Sequence, residues 1–172
     1  PWPDGRLRVL FVGRWDRQKG IDILLAAMRE LGEQAHAVVA GGQVLADGDR
    51  IELPPNASDV GWVNAARLEA LFDSADVLVM PSRWEGFGLV AVEAMRAGVP
   101  VVASRVGGLP EIVEDGVTGA LVEPESPQAI VAALRSRSPQ QWRALGDNCR
   151  TRFAAHFTMD RVHRQIASIY EA

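Results

Sequence analysis

The 172-residue sequence has little cysteine, no excess of positive charge and no long apolar run. Its single cysteine, Cys149, excludes an internal disulfide framework and a cysteine-rich zinc site, and it is typical of a reducing compartment. We expect this cysteine to be a buried structural thiol. Lys and Arg number 18 against 22 Asp and Glu, which gives a formal net charge of −4. Because nucleic-acid-binding domains commonly carry a basic patch, this charge argues against a nucleic-acid partner.

The apolar runs are too short to cross a membrane. A membrane-spanning helix needs about 18 or more consecutive apolar residues, and Ile23 to Met28 is among the longest runs of this sequence. The chain opens at Pro1, without Met and without a signal-peptide pattern. We therefore expect no transmembrane segment, and we expect the chain to be a piece of a longer protein.

Apolar runs of strand length alternate with segments of helical period from one end of the chain to the other. This alternation predicts a doubly wound α/β fold, in which a parallel sheet is covered by helices on both faces, as a single domain over residues 1–172. The predicted strands are Leu7 to Val12, Ala37 to Ala40, Val60 to Val63, Val77 to Met80, Val101 to Ala103 and Ala120 to Val122. The predicted helices are Ile21 to Leu31, Ala65 to Ser74, Gly88 to Ala97 and Pro110 to Glu114, followed by three that begin near Pro127, Pro139 and Met159.

The stretch from Gln43 to Pro55 contains turn residues, and no core element is predicted there. Asp47-Gly48 is typical of a short hairpin turn. Asp47 and Asp49 also match an Asp-x-Asp metal motif, but a glycine between two aspartates is common in turns. We therefore predict no metal site.

The most informative segment follows the predicted strand that ends at Met80. It reads Pro-Ser-Arg-Trp-Glu-Gly-Phe-Gly-Leu-Val-Ala-Val-Glu over residues 81–93 and continues into a helix. Ligands of open α/β sheets bind outside the carboxyl ends of the strands. Gly86 and Gly88 let the backbone approach a ligand closely, and the helix start presents free N–H groups and a positive dipole end to an anion. The segment therefore predicts a phosphate site.

Two carboxylates flank this helix start. Glu85 precedes the turn, and Glu93 lies about 7–8 Å into the helix from Gly88 at 1.5 Å per residue, so we expect both in one crevice. Carboxylates accept hydrogen bonds, which suits them to hydroxyl pairs of a ribose or a hexose. The alternative is a solvated loop residue at Glu85 and an exposed helix position at Glu93. The neighbouring glycines favour the binding role.

A second group of candidate residues follows the first predicted strand, where residues 12–20 read Val-Gly-Arg-Trp-Asp-Arg-Gln-Lys-Gly. Arg14 and Lys19 offer a guanidinium and an ammonium group at the same sheet edge, a suitable pair for a diphosphate. Gly13 and Gly20 keep the backbone free of Cβ atoms where a ligand would approach. Together the two segments predict a crevice for a nucleoside diphosphate that bears a polyhydroxylated group.

These motifs resemble the C-terminal half of the retaining glycosyltransferases of family four, which have the two-domain GT-B architecture. The resemblance extends from about Leu7 to Tyr170. Its motifs are Arg14 with Lys19-Gly20, the segment from Glu85 to Glu93, Gly98-Val-Pro-Val-Val-Ala, and Gly107-Gly-Leu-Pro-Glu111. The most specific of them is the pair of glutamates with seven residues between them. The stretch from Gln43 to Pro55 departs from the family pattern, because it is shorter than the helix-containing segment usual there.

The resemblance implies a Rossmann-like sheet that forms one half of a GT-B enzyme, with a terminal helix over residues 158–172. The full-length enzyme would transfer a sugar from a UDP or GDP sugar to an acceptor hydroxyl, with retention of anomeric configuration and without a metal or another cofactor. A preceding N-terminal domain, absent from this chain, would bind the acceptor, which would be a sugar, a lipid or another hydroxyl compound. The enzyme would be cytoplasmic, and any association with a membrane would be made by that domain.

The resemblance also implies roles for individual residues. Arg14 and Lys19 would hold the donor diphosphate, Glu85 would contact the transferred sugar, and Glu93 would hold the ribose. The backbone around Trp62 and Val63 would meet the nucleobase. The implied donor-binding set is Gly13, Arg14, Lys19, Trp62, Val63, Glu85, Gly86, Phe87, Gly88, Leu89 and Glu93, of which Arg14, Lys19 and Glu85 would be catalytic.

Three other functions fit part of the pattern. A glycoside hydrolase also uses two carboxylates, but Glu85 and Glu93 in that role leave the two cations unexplained. A sugar-nucleotide epimerase would bind a diphosphate at the same edge, and the seven-residue glutamate spacing argues against it. A nucleotide-binding module without catalysis stays open, because a fold alone does not settle a function.

Overall fold

The apolar runs form six parallel strands of one sheet. In this computed structural model, which describes residues 2–43 and 51–158, the sheet order is β3-β2-β1-β4-β5-β6. The strands are β1 (Leu7–Arg14), β2 (Ala35–Gly42), β3 (Ala57–Gly61), β4 (Val77–Met80), β5 (Val101–Ser104) and β6 (Gly119–Val122). The chain moves outward from β1 to β3 and then returns to β4 on the other side of β1. This reversal is the topological switch point of a doubly wound sheet, so the predicted fold class is confirmed.

Helices cover both faces of the sheet. They are α1 (Ile21–Leu31), α2 (Ala65–Ser74), α3 (Leu89–Ala97), α4 (Leu109–Ile112), α5 (Pro127–Arg135), α6 (Pro139–Arg143) and α7 (Gly146–His156), and a 3₁₀ turn (Gly32–Gln34) follows α1. Val9 and Phe11 of β1 pack with α1 and α5, whereas Leu10 between them packs with α2 and α3 on the opposite face. Successive strand residues alternate between faces, and one short strand therefore contributes to both cores. None of the helices in these described parts is long and apolar enough to cross a membrane.

The third strand was predicted in the wrong place. It covers Ala57–Gly61 rather than Val60 to Val63, so Trp62 and Val63 follow the strand instead of belonging to it. The strand lies at the edge of the sheet and is only partly buried, and it includes the polar Ser58 and Asp59. Hydrophobicity does not mark such a strand, because its apolar content is low.

The helical region after residue 138 is also divided differently from the prediction. The helix that begins at Pro139 ends at Arg143, and the separate helix α7 begins at Gly146. α7 buries only Gly146 and Cys149, so it carries no clear apolar stripe by which it could be recognised. The helix predicted from Met159 lies outside the described residues, as do the turn at Asp47-Gly48 and the neighbouring Asp49.

Cys149 of α7 is fully buried in the core, as predicted. Its thiol donates a hydrogen bond to the Thr118 carbonyl at 3.5 Å. Burial raises the pKa of this thiol to about 12, because the thiolate would lose its hydration. Cys149 is therefore a packing residue and not a nucleophile.

Candidate functional site

Two connections meet at the carboxyl edge of the central strands. They are the β1–α1 loop (residues 15–20) and the β4–α3 loop (residues 81–88). Gly20 has a φ of +69°, and a Cβ there would overlap the Pro81 carbonyl. Across the same contact, the Arg83 amide donates to the Gln18 carbonyl at 2.9 Å. The Gln18 side-chain amide donates to the Trp84 carbonyl at 3.4 Å. The two loops that hold the predicted phosphate ligands are therefore in direct contact.

Lys19 and Glu85 form an ion pair between these two loops. Lys19 Nζ lies 2.6 Å from Glu85 Oε2, and the two side chains are only 21% and 10% exposed. Ser82 Oγ donates to the same carboxylate oxygen at 3.4 Å. The pair borders a cavity of about 260 Å³, which is lined by Lys19, Met80, Glu85, Phe87, Gly88, Leu89 and Val90. One cation and one carboxylate predicted from separate motifs thus share one cavity.

The amino end of α3 opens into this cavity. Gly88 is the N-cap residue with a φ of 91°, and no side chain caps the helix. The first amides of an α-helix have no partner within the helix, so the first-turn amides at Leu89 and Val90 have none there. These N–H groups and the helix dipole favour an anion at this position. The structure therefore brings the predicted helix start together with Lys19 and Glu85.

Arg14 lies at the end of β1 and belongs to the same loop cluster. Its guanidinium is 46% exposed and lies 3.2 Å from Asp16 Oδ2, and it donates to Gln18 Oε1 at 2.8 Å. The other oxygen of Asp16 accepts a hydrogen bond from the Lys19 amide at 2.9 Å. Asp16 therefore contacts the Arg14 guanidinium and the Lys19 backbone. Asp16 and Gln18 were not predicted as site residues, because a loop aspartate or glutamine carries no specific signal.

A third connection, the β5–α4 loop (residues 105–108), fixes the backbone of the β4–α3 loop. Gly107 lies so close to Glu85 that a Cβ on it would overlap the Glu85 carbonyl, and the Gly108 amide donates to the Gly86 carbonyl at 3.0 Å. These glycines entered the prediction only through the family resemblance. Their signal is a Gly-Gly pair that begins three residues after the end of a buried strand.

Glu93, Trp62 and Val63 do not line the cavity of Lys19 and Glu85. Glu93 is exposed on α3, makes no side-chain hydrogen bond or ion pair within the described parts of the chain, and is not among the residues lining the cavity of Lys19 and Glu85. Trp62 is 67% exposed after β3, and its indole lies over Gly42, with Nε1 3.0 Å from where a Cβ on Gly42 would stand. Val63, beside it, is half-buried. The residue roles implied by the resemblance stay predictions.

The strand order, the glycine-rich turns and the anion-binding helix start define a Rossmann-like domain with its site at the topological switch point. The chain belongs to the family of glycosyl transferases group 1, whose family model matches residues 6–137. It is 39% identical to a D-inositol 3-phosphate glycosyltransferase of Segniliparus rotundus over 153 residues, which is 80% of this chain and 34% of that protein. The predicted family relationship is confirmed.

Solved structures agree with this assignment. The fold matches a sucrose-phosphate synthase of Thermosynechococcus elongatus with a TM-score of 0.84 and 36% identity, over 98% of this chain and 46% of that one. It also matches Alr3699/HepE of Anabaena in complex with UDP, with a TM-score of 0.87 and 26% identity, over 96% and 49% of the two chains. The fold is thus that of one half of the GT-B glycosyltransferases. The chain spans about half or less of the length of these relatives.

Proposed function

We propose that this chain is the donor-binding domain of a retaining, metal-independent glycosyltransferase that uses a nucleoside-diphosphate sugar. The observation that carries the proposal is the Lys19–Glu85 pair beside the uncapped start of α3. This cavity contains a cation and free amides for a phosphate, and a carboxylate for sugar hydroxyls. Similar proteins support the proposal, because HepE has been solved with UDP and with UDP-glucose.

Within this proposal, the donor diphosphate binds between the β1–α1 loop and the start of α3. A phosphate oxygen would take the place of Glu85 at the Lys19 ammonium, and the first amides of α3 would donate to the same group. Glu85, released from Lys19, would accept hydrogen bonds from hydroxyls of the transferred sugar. Arg14 would turn from Asp16 towards the second phosphate. Fixed cations and amides would then stabilise the charge that develops on the departing diphosphate, without a metal ion.

The ribose and the nucleobase would contact residues outside the cavity of Lys19 and Glu85. Glu93 is exposed without a side-chain partner among the described residues, so its carboxylate is free to accept hydrogen bonds from both ribose hydroxyls. Trp62 and Val63 follow the edge strand, where we place the nucleobase. The acceptor would approach from the side of the exposed Trp84 and Phe87, which the second half of the full-length enzyme would cover.

Titration calorimetry with UDP tests the diphosphate assignment. We expect Arg14→Ala and Lys19→Ala each to lower UDP affinity about ten-fold or more, because a hydrogen bond to a charged group contributes roughly 1.5–3 kcal/mol. Arg96→Ala is the matched control, since it removes an exposed arginine that pairs with Glu69 on the α2–α3 surface. EDTA should not change the wild-type affinity. The proposal fails if both loop variants bind UDP like the wild type, and its metal-independent part fails if EDTA abolishes binding.

A second titration separates a sugar-nucleotide site from a simple nucleotide site. We expect Glu85→Gln to lower the ratio of the UDP-glucose affinity to the UDP affinity, because only the sugar conjugate would contact Glu85. Glu93→Gln should weaken both ligands equally, since both contain the ribose. An unchanged ratio in Glu85→Gln would remove the sugar-binding role of this residue.

A further inference from the structure

Arg83 makes a set of contacts that the donor-binding roles above do not use. It lies in the β4–α3 loop, two residues before Glu85. Its amide donates to the Gln18 carbonyl at 2.9 Å, and its Nη1 donates to the Arg17 carbonyl at 2.9 Å. A backbone group and a side-chain group of one residue are therefore bonded to the β1–α1 loop, directly before Lys19.

The same guanidinium forms a bidentate ion pair with Asp22. Nη1 lies 2.9 Å from Oδ1 and Nη2 lies 2.8 Å from Oδ2, and the arginine side chain is only 13% exposed. Asp22 is in the first turn of α1, at the far end of the β1–α1 loop. The hydrogen bonds from Arg83 lower the pKa of Asp22 below its ordinary value. Planar bidentate geometry of this kind fixes direction as well as distance.

A carboxylate of the loop between β6 and α5 also faces Arg83. The Nε group is buried without a hydrogen-bond partner, and it faces Glu125 Oε2 at 3.6 Å. Glu125 precedes α5 and has a φ of 57°, which makes it the only non-glycine residue in the described ranges with a positive φ. Left-handed backbone is unfavourable for a non-glycine residue.

We propose that Arg83 is a positioning residue of the donor site, which sets the distance between the loop carrying Lys19 and the loop carrying Glu85. This inference rests on the proposed function. The Lys19–Glu85 contact of 2.6 Å joins two loops that are far apart in sequence, and Arg83 connects the same two loops a few residues away. A binding site has to be held to within about 0.5 Å by contacts of this kind. Lysine cannot replace arginine here, because an ammonium group cannot bridge the Arg17 carbonyl and both Asp22 oxygens in one plane.

Calorimetry with UDP on the full 172-residue chain tests this role. Arg83→Gln and Asp22→Asn should each lower UDP affinity about ten-fold, in the range of coupling between connected sites, and Arg83→Lys should recover only part of the loss. Arg135→Gln is the matched control. This arginine also connects two elements on the same face, since it contacts Glu30 at 3.5 Å and Gln34 at 3.1 Å, but it lies at the other end of α1. The control should bind UDP like the wild type.

A double-mutant cycle separates positioning from stability alone. Lys19→Ala should cost much less affinity in the Arg83→Gln background than in the wild type, because a displaced Lys19 has already lost its contact. A merely structural role would leave the effect of Lys19→Ala the same in both backgrounds, and that result would overturn the proposal. Unchanged UDP affinity in both Arg83→Gln and Asp22→Asn, while Lys19→Ala weakens binding, would also overturn it.

If Arg83→Gln does not fold, the cycle is run with Asp22→Asn. If Lys19→Ala and Arg14→Ala bind UDP normally, the proposed function itself has failed and the positioning role is overturned with it.

Discussion

Gly107 shows how closely backbone atoms are packed behind the site. It has a φ of +52°, and a Cβ added there would overlap the Glu85 carbonyl. Gly116 has a comparable φ of +79° but nothing within 4 Å of the added atom. The two positions share the requirement for left-handed backbone and differ only in the space around them.

We therefore expect Gly107→Ala and Gly116→Ala to separate strain from contact. Both should lose about 1–2 kcal/mol of unfolding free energy from the left-handed backbone, measured by urea denaturation. Gly107→Ala should lose more and should also bind UDP more weakly, because the Glu85 backbone has to move. Gly116→Ala should bind UDP like the wild type. Equal losses of stability with unchanged UDP binding in both variants would show that the β5–α4 loop does not fix Glu85.

Some residues of the site were predicted from the sequence, and others were not. Lys19 and Glu85 were assigned from their motifs and are in contact. The residues that hold them in place, such as Asp16 and Arg83, were not, because a charged loop residue has the same sequence signal whether it is solvated or bonded. Only the partner across the loop distinguishes these cases.

At the scale of elements, Asn56 joins the end of α1 to the edge of the sheet. Its side chain is buried, and Nδ2 donates to the carbonyls of Met28 and Gly32 at 2.7 Å and of Ala35 at 3.3 Å. The last carbonyls of a helix lack partners within the helix, and Asn56 supplies a side-chain donor to this group of carbonyls, of which Met28 also accepts from the Gly32 amide. It lies directly before β3, in a region where no core residue was predicted.

Asn56→Asp should be strongly destabilising, although the two side chains have nearly the same shape. The carboxylate would face three carbonyl oxygens without a donor, and an uncompensated buried charge costs roughly 3–5 kcal/mol of unfolding free energy. Burial would raise the pKa of the new carboxyl in the folded state, so the deficit should shrink as pH falls towards 4, where the protonated carboxyl can donate again.

Asn148→Asp is the matched control for this substitution. Asn148 is exposed and donates to the single carbonyl of Val117 at 3.2 Å, so its replacement should change the unfolding free energy little. Denaturant unfolding at several pH values measures both variants. A pH-independent loss in Asn56→Asp, or an equal loss in both, would contradict the role given to Asn56.

At the scale of the whole molecule, the site lies on an open edge. Trp62, Trp84, Phe87 and Leu89 are all more than half exposed there, and the chain covers about half the length of its structural relatives. Correct placement of two substrates can contribute roughly 7–11 kcal/mol to lowering a reaction barrier. Within the proposed function, a donor site on an open edge does not by itself place an acceptor in this way.

We therefore expect the 172-residue chain to bind UDP and to transfer no sugar. The measurement is product formation from UDP-glucose or GDP-mannose with candidate acceptors, for this chain alone and for the chain joined to an acceptor-binding domain. Glucose or mannose released into water by this chain alone counts as hydrolysis and not as transfer. Efficient transfer by the isolated chain would show that the acceptor site does not need a second domain.

The sequence by itself determined the fold class, the positions of most strands and helices, and the two motifs that supply Lys19 and Glu85. These features depend on local patterns, because strand and helix periods, glycine turns and motif spacing extend over only a few residues. The edge strand β3 was misplaced because its partly polar residues carry little of that pattern.

Only the tertiary structure decided which side chains meet. Lys19 and Glu85 are 66 residues apart, and Arg83 and Asp22 are 61 apart. Both contacts exist because parallel strands bring the ends of distant segments to one sheet edge, and a local pattern contains no information about such pairs.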